Sequence, residues 1–135
     1  MDKRIIIDAE GAIFGRLCSF AAKKALQGYE VIIVNSEKAI ITGNKKDIVQ
    51  KYQELRKKGK GSLKGPKYSK IPYKMLKRGI RGMLPDFRRG IGKQAFSRIR
   101  CYDGVPDEYK EEKMIKSGKT KPKKYVQLKE ISEMI

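Results

Sequence analysis

Few residues in this 135-residue chain have the types and spacing that enzyme chemistry requires. Histidine is absent, so no imidazole can ligate zinc or act as a general acid or base. Cys18 and Cys101 fall on predicted apolar faces and match neither a disulfide framework nor a metal-ligand spacing, which favours small buried hydrophobes in a reducing cytosol. The carboxylate pairs at 107–108 and 111–112 stand in a lysine-rich polar stretch and are typical of solvated charge. We therefore expect no catalytic residue, no metal and no cofactor.

Two glycine-containing turns match phosphate-binding loops only in part. Residues 8–16 join a predicted strand to a predicted helix, but they lack the Gly-x-Gly-x-x-Gly pattern and contain two carboxylates that would repel a phosphate. Gly92 and Lys93 look like the end of a P-loop, yet Phe87 and Gln94 stand where that motif requires Gly and Ser or Thr. A small nucleotide-binding α/β enzyme that uses residues 8–16 remains the alternative hypothesis.

The strongest chemical signal is positive charge. The chain holds 33 Lys and Arg against 15 Asp and Glu, a formal net charge of +18, and 17 of these basic residues against two acidic ones fall in residues 51–100. A charge run is usually a solvated face, but an uncompensated excess of this size repels itself and destabilises a compact state. A polyanionic partner is the simplest compensation, and we favour nucleic acid over acidic lipid or an acidic protein.

A predicted helix over residues 73–84 gives this charge a direction. Pro85 ends the helix, which contains no acidic residue. Gly79 and Gly82 each cost about 1 kcal/mol relative to Ala, so either they permit close approach of RNA or another element, or they break the helix. On a helical wheel, one side holds Met75, Leu76, Ile80 and Met83, and the other holds Lys74, Lys77, Arg78 and Arg81 in a row that matches phosphates along a groove.

Two further basic features leave alternatives open. Lys45 and Lys46 fall in the first turn of a predicted helix, where the macrodipole disfavours cations by some tenths of a kcal/mol. Either they are exposed and screened, or an external phosphate reverses the sign of the effect. Residues 59–70 combine glycines, lysines and Tyr68, which suits amide contacts to phosphates and stacking on an unpaired base. A disordered basic loop is the other interpretation of that segment.

The elements that position these residues follow from hydrophobic periodicity. Apolar runs at 4–8 and 31–34 predict buried strands, and residues 15–27 between them predict a helix that Gly28 ends. Such a strand, helix and strand form a βαβ unit with parallel strands. We also predict a strand at 39–42, a helix from an Asn44 N-cap towards residue 58, and basic loops at 59–70 and 86–92. A short helix at 93–98 and a closing strand at 98–102 follow. We expect the polar residues 107–124 either to be loose or to wrap the surface, and a strand and helix within 125–135 to dock back.

Short motifs recur in a fixed order along the chain. The motifs are Ile7-Asp8-Ala9-Glu10-Gly11 with Gly15-Arg16-Leu17, Val34-Asn35-Ser36-Glu37-Lys38, Thr42-Gly43-Asn44-Lys45, Arg81-Gly82-Met83-Leu84-Pro85 with Arg89-Gly90, and Cys101-Tyr102-Asp103-Gly104-Val105-Pro106. Through them the sequence resembles the universal large-subunit ribosomal protein thirteen family from about residue 5 to residue 106. The absence of the long insert that bacterial members carry before the second strand resembles the archaeal and eukaryotic branch, and the C-terminal extension resembles the archaeal form.

The resemblance implies a three-layer α/β/α domain with a small, mostly parallel four-stranded sheet, basic loops and a C-terminal extension. We expect a single domain over 1–135, with the sheet core at 1–58 and 93–106, the basic region at 59–92 and the extension at 107–135. The implied function is structural: binding 23S-type rRNA in the cytoplasmic large ribosomal subunit, beside neighbouring ribosomal proteins, and supporting subunit assembly. No membrane span is expected, since no run of about 18 apolar residues occurs. The apolar stretch near the start is too short for a signal peptide. No small-molecule substrate is expected either.

The family's RNA contacts carry over to Arg16, Lys38, Asn44, Lys45, Arg81, Arg89 and the basic loop. Residues 66–74 depart from the family pattern, because relatives are usually richer in Arg and Pro there, and Lys makes a point-charge contact where Arg could fork onto a phosphate. With the residues chosen on charge, the candidate rRNA-binding set is Arg16, Lys38, Asn44, Lys45, Lys46, Lys57, Lys58, Lys60, Lys64, Lys67, Tyr68, Lys70, Lys74, Lys77, Arg78, Arg81, Arg88, Arg89, Lys93, Arg98 and Arg100.

Overall fold

The fold is built on short parallel strands whose side chains are mostly apolar. The computed structural model describes residues 3–57, 69–116 and 124–135. Its helices and strands are β1 (Arg4–Asp8), α1 (Phe14–Leu26), β2 (Glu30–Val34), β3 (Ile40–Thr42), α2 (Lys45–Lys57), α3 (Pro72–Arg81), α4 (Gly90–Ser97), β4 (Ile99–Cys101), β5 (Ile115–Lys116), β6 (Tyr125–Gln127) and α5 (Leu128–Met134).

The first three elements form the βαβ unit that the sequence predicts. β1 and β2 are parallel and in register, with Ile7 opposite Ile33, and both side chains are fully buried. α1 between them buries an apolar face that includes Leu17 and Cys18. Gly28 follows the helix with φ +101°, a left-handed conformation that favours glycine, so the predicted C-terminal glycine is confirmed.

Alternate side chains of the sheet face two separate cores. Ile7 and Ile33 pack into the main core with residues of α1, α3, α4 and α5. Ile6 and Ile32 face a smaller core with Tyr109, in a segment that contains a single 3₁₀ turn. Helices, a parallel sheet and this thinner covering segment make three layers, which confirms the predicted α/β class and its small, mostly parallel four-stranded sheet.

The fourth strand of the sheet comes from a segment predicted to be either loose or wrapped over the surface. The strand order is β4-β2-β1-β5, and β5 pairs in parallel with the end of β1. Of the two alternatives for 107–116, the structure has the wrapped one, because Tyr109 and Met114 supply apolar contacts that cover the second face of the sheet. An ion pair of 2.6 Å between Arg4 and Glu112 also joins the segment to β1. Residues 117–123 of the same stretch lie outside the described residues.

The predicted strand at 39–42 forms, but outside the main sheet. β3 pairs antiparallel with β6, where Ile41 lies opposite Val126. An isolated parallel bridge between Ile13 and Ile40 connects β3 to the start of α1. The predicted docking of the C-terminal strand and helix is confirmed, since Leu128 and Ile131 of α5 are fully buried.

The helices that carry most of the basic residues differ from prediction mainly at their ends. α2 begins directly after Asn44, as predicted. α3 ends at Arg81 rather than Leu84. α4 begins at Gly90, so the loop predicted over 86–92 is shorter. Most of the basic loop predicted over 59–70 lies outside the described residues.

Candidate nucleic-acid interface

α3 has the two faces that the sequence predicts. Its apolar side is buried in the main core, with Met75 4%, Leu76 0% and Ile80 0% exposed. Lys74 on the opposite side is exposed, whereas Lys77, Arg78 and Arg81 are half-buried. The cationic row is therefore partly held against protein rather than extended freely into solvent.

Aromatic rings next to α3 hold two of these cations. The Lys77 Nζ atom lies 5.2 Å from the ring centroid of Phe96 in α4. The Arg81 Cζ atom lies 4.5 Å from the ring centroid of Phe87, in the turn between α3 and α4. Both contacts are within cation–π range, so the rings restrict where the charges point.

The same helix face borders a surface cleft of about 220 Å³. None of the described residues that line the cleft is acidic, and four of them are Lys or Arg. A concave site with low-dielectric walls and charge of one sign focuses the field on an anion. The lining residues are Ser69, Lys74, Met75, Lys77, Arg78, Arg81 and Phe96.

Close packing at two glycines fixes α3 and α4. A Cβ atom at Gly79 would lie 2.7 Å from Phe14 Cζ and 3.0 Å from Cys18 Sγ of α1. A Cβ atom at Gly92 would overlap the carbonyl oxygen of Pro85. Gly79 therefore permits close approach of another helix, which decides between the alternatives left open for it. Gly82 directly follows α3 and caps its end.

The turn before α4 carries two arginines beside one carboxylate. Asp86 Oδ1 accepts a hydrogen bond from Arg88 N at 3.1 Å, and Asp86 Oδ2 pairs with Arg89 Nε at 3.2 Å. The Phe87 ring lies edge-on to Phe96 at 6.0 Å and within 5.4 Å of Arg88 Cζ. The turn is thus ordered by its own contacts.

A second group of cations gathers at the start of α2. Asn44 Oδ1 accepts a hydrogen bond from Lys46 N at 3.1 Å, which confirms Asn44 as the N-cap. Lys45 and Lys46 are exposed. Lys124 and Tyr125 border a pocket of about 300 Å³ beside Asn44 and Lys45. No sequence pattern marks Lys124 as part of this group, because its position depends on the pairing of β3 with β6.

The turn of residues 8–16 is occupied by its own hydrogen bonds. Asp8 Oδ1 accepts from Glu10 N at 3.0 Å and from Asn35 Nδ2 at 3.0 Å. Gly11 N donates to Lys38 O at 3.1 Å, and Ala12 N donates to Ala9 O at 3.0 Å. The backbone amides that would cradle a phosphate therefore already have acceptors.

An acidic pair at the carboxyl edge of the sheet was missed by sequence reasoning. Glu37 Oε2 accepts a hydrogen bond from Gly104 N at 2.7 Å. Asp103 accepts one from Tyr73 N in the first turn of α3. Partial burial, and after it the charge of Glu37, raises the pKa of Asp103 to about 6. Asp103 thereby positions the start of α3, and neither carboxylate attracts an anion.

The remaining candidate residues are dispersed. Arg98 donates from Nη1 to Ala25 O at 3.0 Å and so caps the end of α1. Arg100 is exposed and lies opposite Ile32 in register, on the sheet face turned away from α3. Lys38, in the 3₁₀ turn at 36–38, is half-buried. The other candidate residues are exposed: Arg16 on α1, Lys70 before α3, Arg88 and Arg89 in the turn, and Lys93 on α4.

Part of the predicted set lies beyond the described residues. Lys57 ends α2, and its side chain is outside the described part of the chain. The residues wholly outside it are Lys58, Lys60, Lys64, Lys67 and Tyr68.

The part of the chain that the structure describes contains neither a metal-binding cluster nor a cysteine thiolate. Within residues 3–57, 69–116 and 124–135, no cluster of His, Cys, Asp and Glu could hold a metal ion. Burial raises the pKa of both Cys18 and Cys101 to about 12, so both thiols are protonated at neutral pH. No helix of the described residues has the length and apolar content to cross a bilayer.

Comparison with known proteins points to one family. A family profile described as ribosomal protein L13 matches residues 2–108. The large ribosomal subunit protein uL13 of Methanocaldococcus jannaschii is 44% identical over 131 residues, covering 95% of this chain and 94% of that protein. The protein of the same name from Methanosarcina barkeri is 42% identical over 134 residues, covering 95% of this chain and 94% of that protein. The one from Archaeoglobus fulgidus is 39% identical over 140 residues, covering 99% of this chain and 88% of that protein.

Proposed function

Because the chain belongs to the ribosomal protein L13 family, we propose that it is a non-enzymatic structural constituent of the large ribosomal subunit that binds large-subunit rRNA and supports subunit assembly. The observation that carries the RNA-binding step is the cleft along α3, where Lys74, Lys77, Arg78 and Arg81 converge with no acidic lining residue among those described. On this proposal the protein acts in the cytoplasm, in contact with rRNA and neighbouring ribosomal proteins.

The geometry of the cleft suits a folded RNA backbone. Cations three and four residues apart on a helix present a row of charges, and phosphates line the grooves of RNA at comparable intervals. The rings of Phe87 and Phe96 hold Arg81 and Lys77 at 4.5 and 5.2 Å, which reduces the side-chain entropy lost on binding. Backbone contacts of this kind recognise RNA shape more than sequence.

The start of α2 supplies a second phosphate contact in this proposal. Lys45 and Lys46 stand at the positive end of the helix dipole, and Lys45 borders the same pocket as Lys124. Cations there are unfavourable in the isolated protein, and an external phosphate would be attracted both by the dipole and by the lysines. On this proposal, a phosphate of the RNA compensates these charges.

Nucleotide binding at residues 8–16 receives no comparable support. The amides of Glu10, Gly11 and Ala12 already donate within the protein, and Asp8 is 7% exposed beneath the turn. A phosphate placed there would have to displace these bonds and face a carboxylate. We therefore keep rRNA binding as the single proposal.

The test removes charge from the cleft without altering the core. We expect Lys74→Gln with Lys77→Gln to weaken binding to a transcript of large-subunit rRNA about tenfold at 0.1 M salt, because two phosphate contacts are lost. The log–log slope of affinity against salt should fall in magnitude by about 1.5. Filter binding across a salt series measures both quantities, and thermal unfolding checks that the variant is folded.

A matched control distinguishes the effect of charge in the cleft from the effect of the protein's net charge. Lys110→Gln with Lys129→Gln removes the same net charge from exposed positions outside the cleft, and binding should change less than twofold. Equal weakening by both pairs would contradict a localised interface. A flat salt dependence, or saturable ATP or NAD binding without RNA affinity, would contradict the proposed function itself.

A further inference from the structure

Exposed apolar side chains stand among the arginines of the turn between α3 and α4. We call residues 81–91 the arginine turn. Ile91 is 66% exposed and Met83 is 46% exposed, whereas Leu84 between them is 8% exposed. Phosphate oxygens gain nothing from contact with such side chains, so a backbone interface leaves them unexplained.

The arginine turn also presents planar groups in fixed positions. Arg81 Cζ and Arg88 Cζ lie 4.5 and 5.4 Å from the Phe87 ring centroid, and Phe96 supports that ring edge-on at 6.0 Å. Unpaired RNA bases stack on aromatic rings and on guanidinium planes. A guanidinium already held on a ring loses little freedom when a base arrives.

Backbone contacts make the turn a preformed surface. Asp86 accepts from Arg88 N and pairs with Arg89, so the one carboxylate of the turn is already engaged. Gly92 lies against the Pro85 carbonyl oxygen, which places the first turn of α4, and Ile91 with it, on the segment after α3. The turn combines exposed arginines with the exposed apolar side chains of Met83 and Ile91, and this combination fits a nucleotide with its negative phosphate and apolar base face.

We propose that the arginine turn binds an unpaired base of its RNA partner, with the base stacked at Arg81, Phe87 and Arg88 and contacted by Met83 and Ile91. The inference rests on the proposed function, since it names the feature of RNA that this part of the interface takes. Unpaired bases are the part of folded RNA from which proteins obtain sequence-dependent contacts. The turn thus adds a base contact to the backbone contacts of the α3 cleft.

The experiment compares unpaired with paired RNA. The probes are a twelve-nucleotide oligoadenylate and a twelve-base-pair RNA duplex, each titrated by fluorescence anisotropy at the same salt concentration. Met83→Ser with Ile91→Ser removes apolar contact and no charge. We expect its affinity for the oligoadenylate to fall about tenfold and its affinity for the duplex to stay within twofold. Arg88→Lys, which keeps the charge and loses the plane, should weaken oligoadenylate binding severalfold.

Controls and outcomes distinguish this inference from the proposed function. Leu26→Ser removes a similarly exposed apolar side chain, 37% exposed at the end of α1, and should change neither affinity. If the Met83/Ile91 variant binds both probes as before, or binds both less tightly by the same factor, the proposed base contact is overturned. The proposed function, rRNA binding, is not affected by that outcome. Retained RNA affinity with lost incorporation into reconstituted large subunits would assign the apolar pair to a protein neighbour and also overturns it. Failure of the unaltered protein to bind either RNA would overturn the proposed function as well.

Discussion

Asp103, at the carboxyl edge of the sheet, stabilises the fold through one contact and destabilises it through its charge. Asp103 accepts a hydrogen bond from Tyr73 N and so caps α3, which lacks a side-chain cap of its own. Burial and the neighbouring Glu37 charge raise the pKa of Asp103 to about 6 from 3.8. A carboxyl group whose pKa is raised by folding stabilises the fold while it is protonated, and this contribution is lost as pH rises through about 6.

Asp103→Asn tests this coupling, because the amide oxygen still accepts the Tyr73 hydrogen bond and the charge is gone. We expect a higher free energy of unfolding than for the unaltered protein at pH 7.5, and no difference below about pH 4. Urea unfolding at pH 4, 6 and 7.5 measures the gap. Glu37→Gln should move the pH dependence of the unaltered Asp103 lower, because one cause of the raised pKa is removed. A gap that does not vary with pH would contradict the account.

At the scale of elements, the sequence predicts what is local and periodic. β1, α1 and β2 follow from hydrophobic pattern, and the two faces of α3 follow from a helical wheel. The fourth strand could not be predicted, because a two-residue strand such as β5 has no periodicity and pairs with β1 from far along the chain. The contacts of Lys77 and Arg81 with aromatic rings escaped prediction for the same reason. They depend on where α4 lies, and a contact between Gly92 and Pro85 fixes that position.

The segment over the second face of the sheet wraps the molecule instead of lying loose, and Tyr109→Ala tests how much it contributes to stability. Tyr109 is 4% exposed and packs with Ile6, Ile32 and Val34. Truncating a buried aromatic side chain costs about 3 kcal/mol, measurable by urea unfolding. Tyr125→Ala, at a side chain that is 42% exposed, should cost about 0.5 kcal/mol. Equal costs would mean that residues 107–116 are as loose as their composition predicts.

At the scale of the whole molecule, the most basic part of the chain also contributes to the core. Residues 51–100 hold 17 basic and two acidic residues, yet they also supply Leu76, Ile80 and Ala95 to the main core. The basic region is therefore integral to the fold rather than an appended arm. The ion pair between Asp86 and Arg89 in this region is exposed, with 52% and 87% of the two side chains accessible, so it offsets little of the repulsion.

Self-repulsion of this charge should make the stability of the RNA-free protein depend on ionic strength. The Debye length shortens from about 30 Å at 0.01 M salt to about 8 Å at 0.15 M, which screens repulsion across a domain of this size. We expect the thermal unfolding midpoint to rise by several degrees between these concentrations of sodium chloride, because a net charge of +18 destabilises the compact state. Lys70→Gln with Lys74→Gln, at exposed positions, should raise the low-salt midpoint and flatten the dependence. A midpoint that falls with added salt would mean that attractive pairs outweigh repulsion, and the basic region would then be compensated within the protein instead of by its RNA partner.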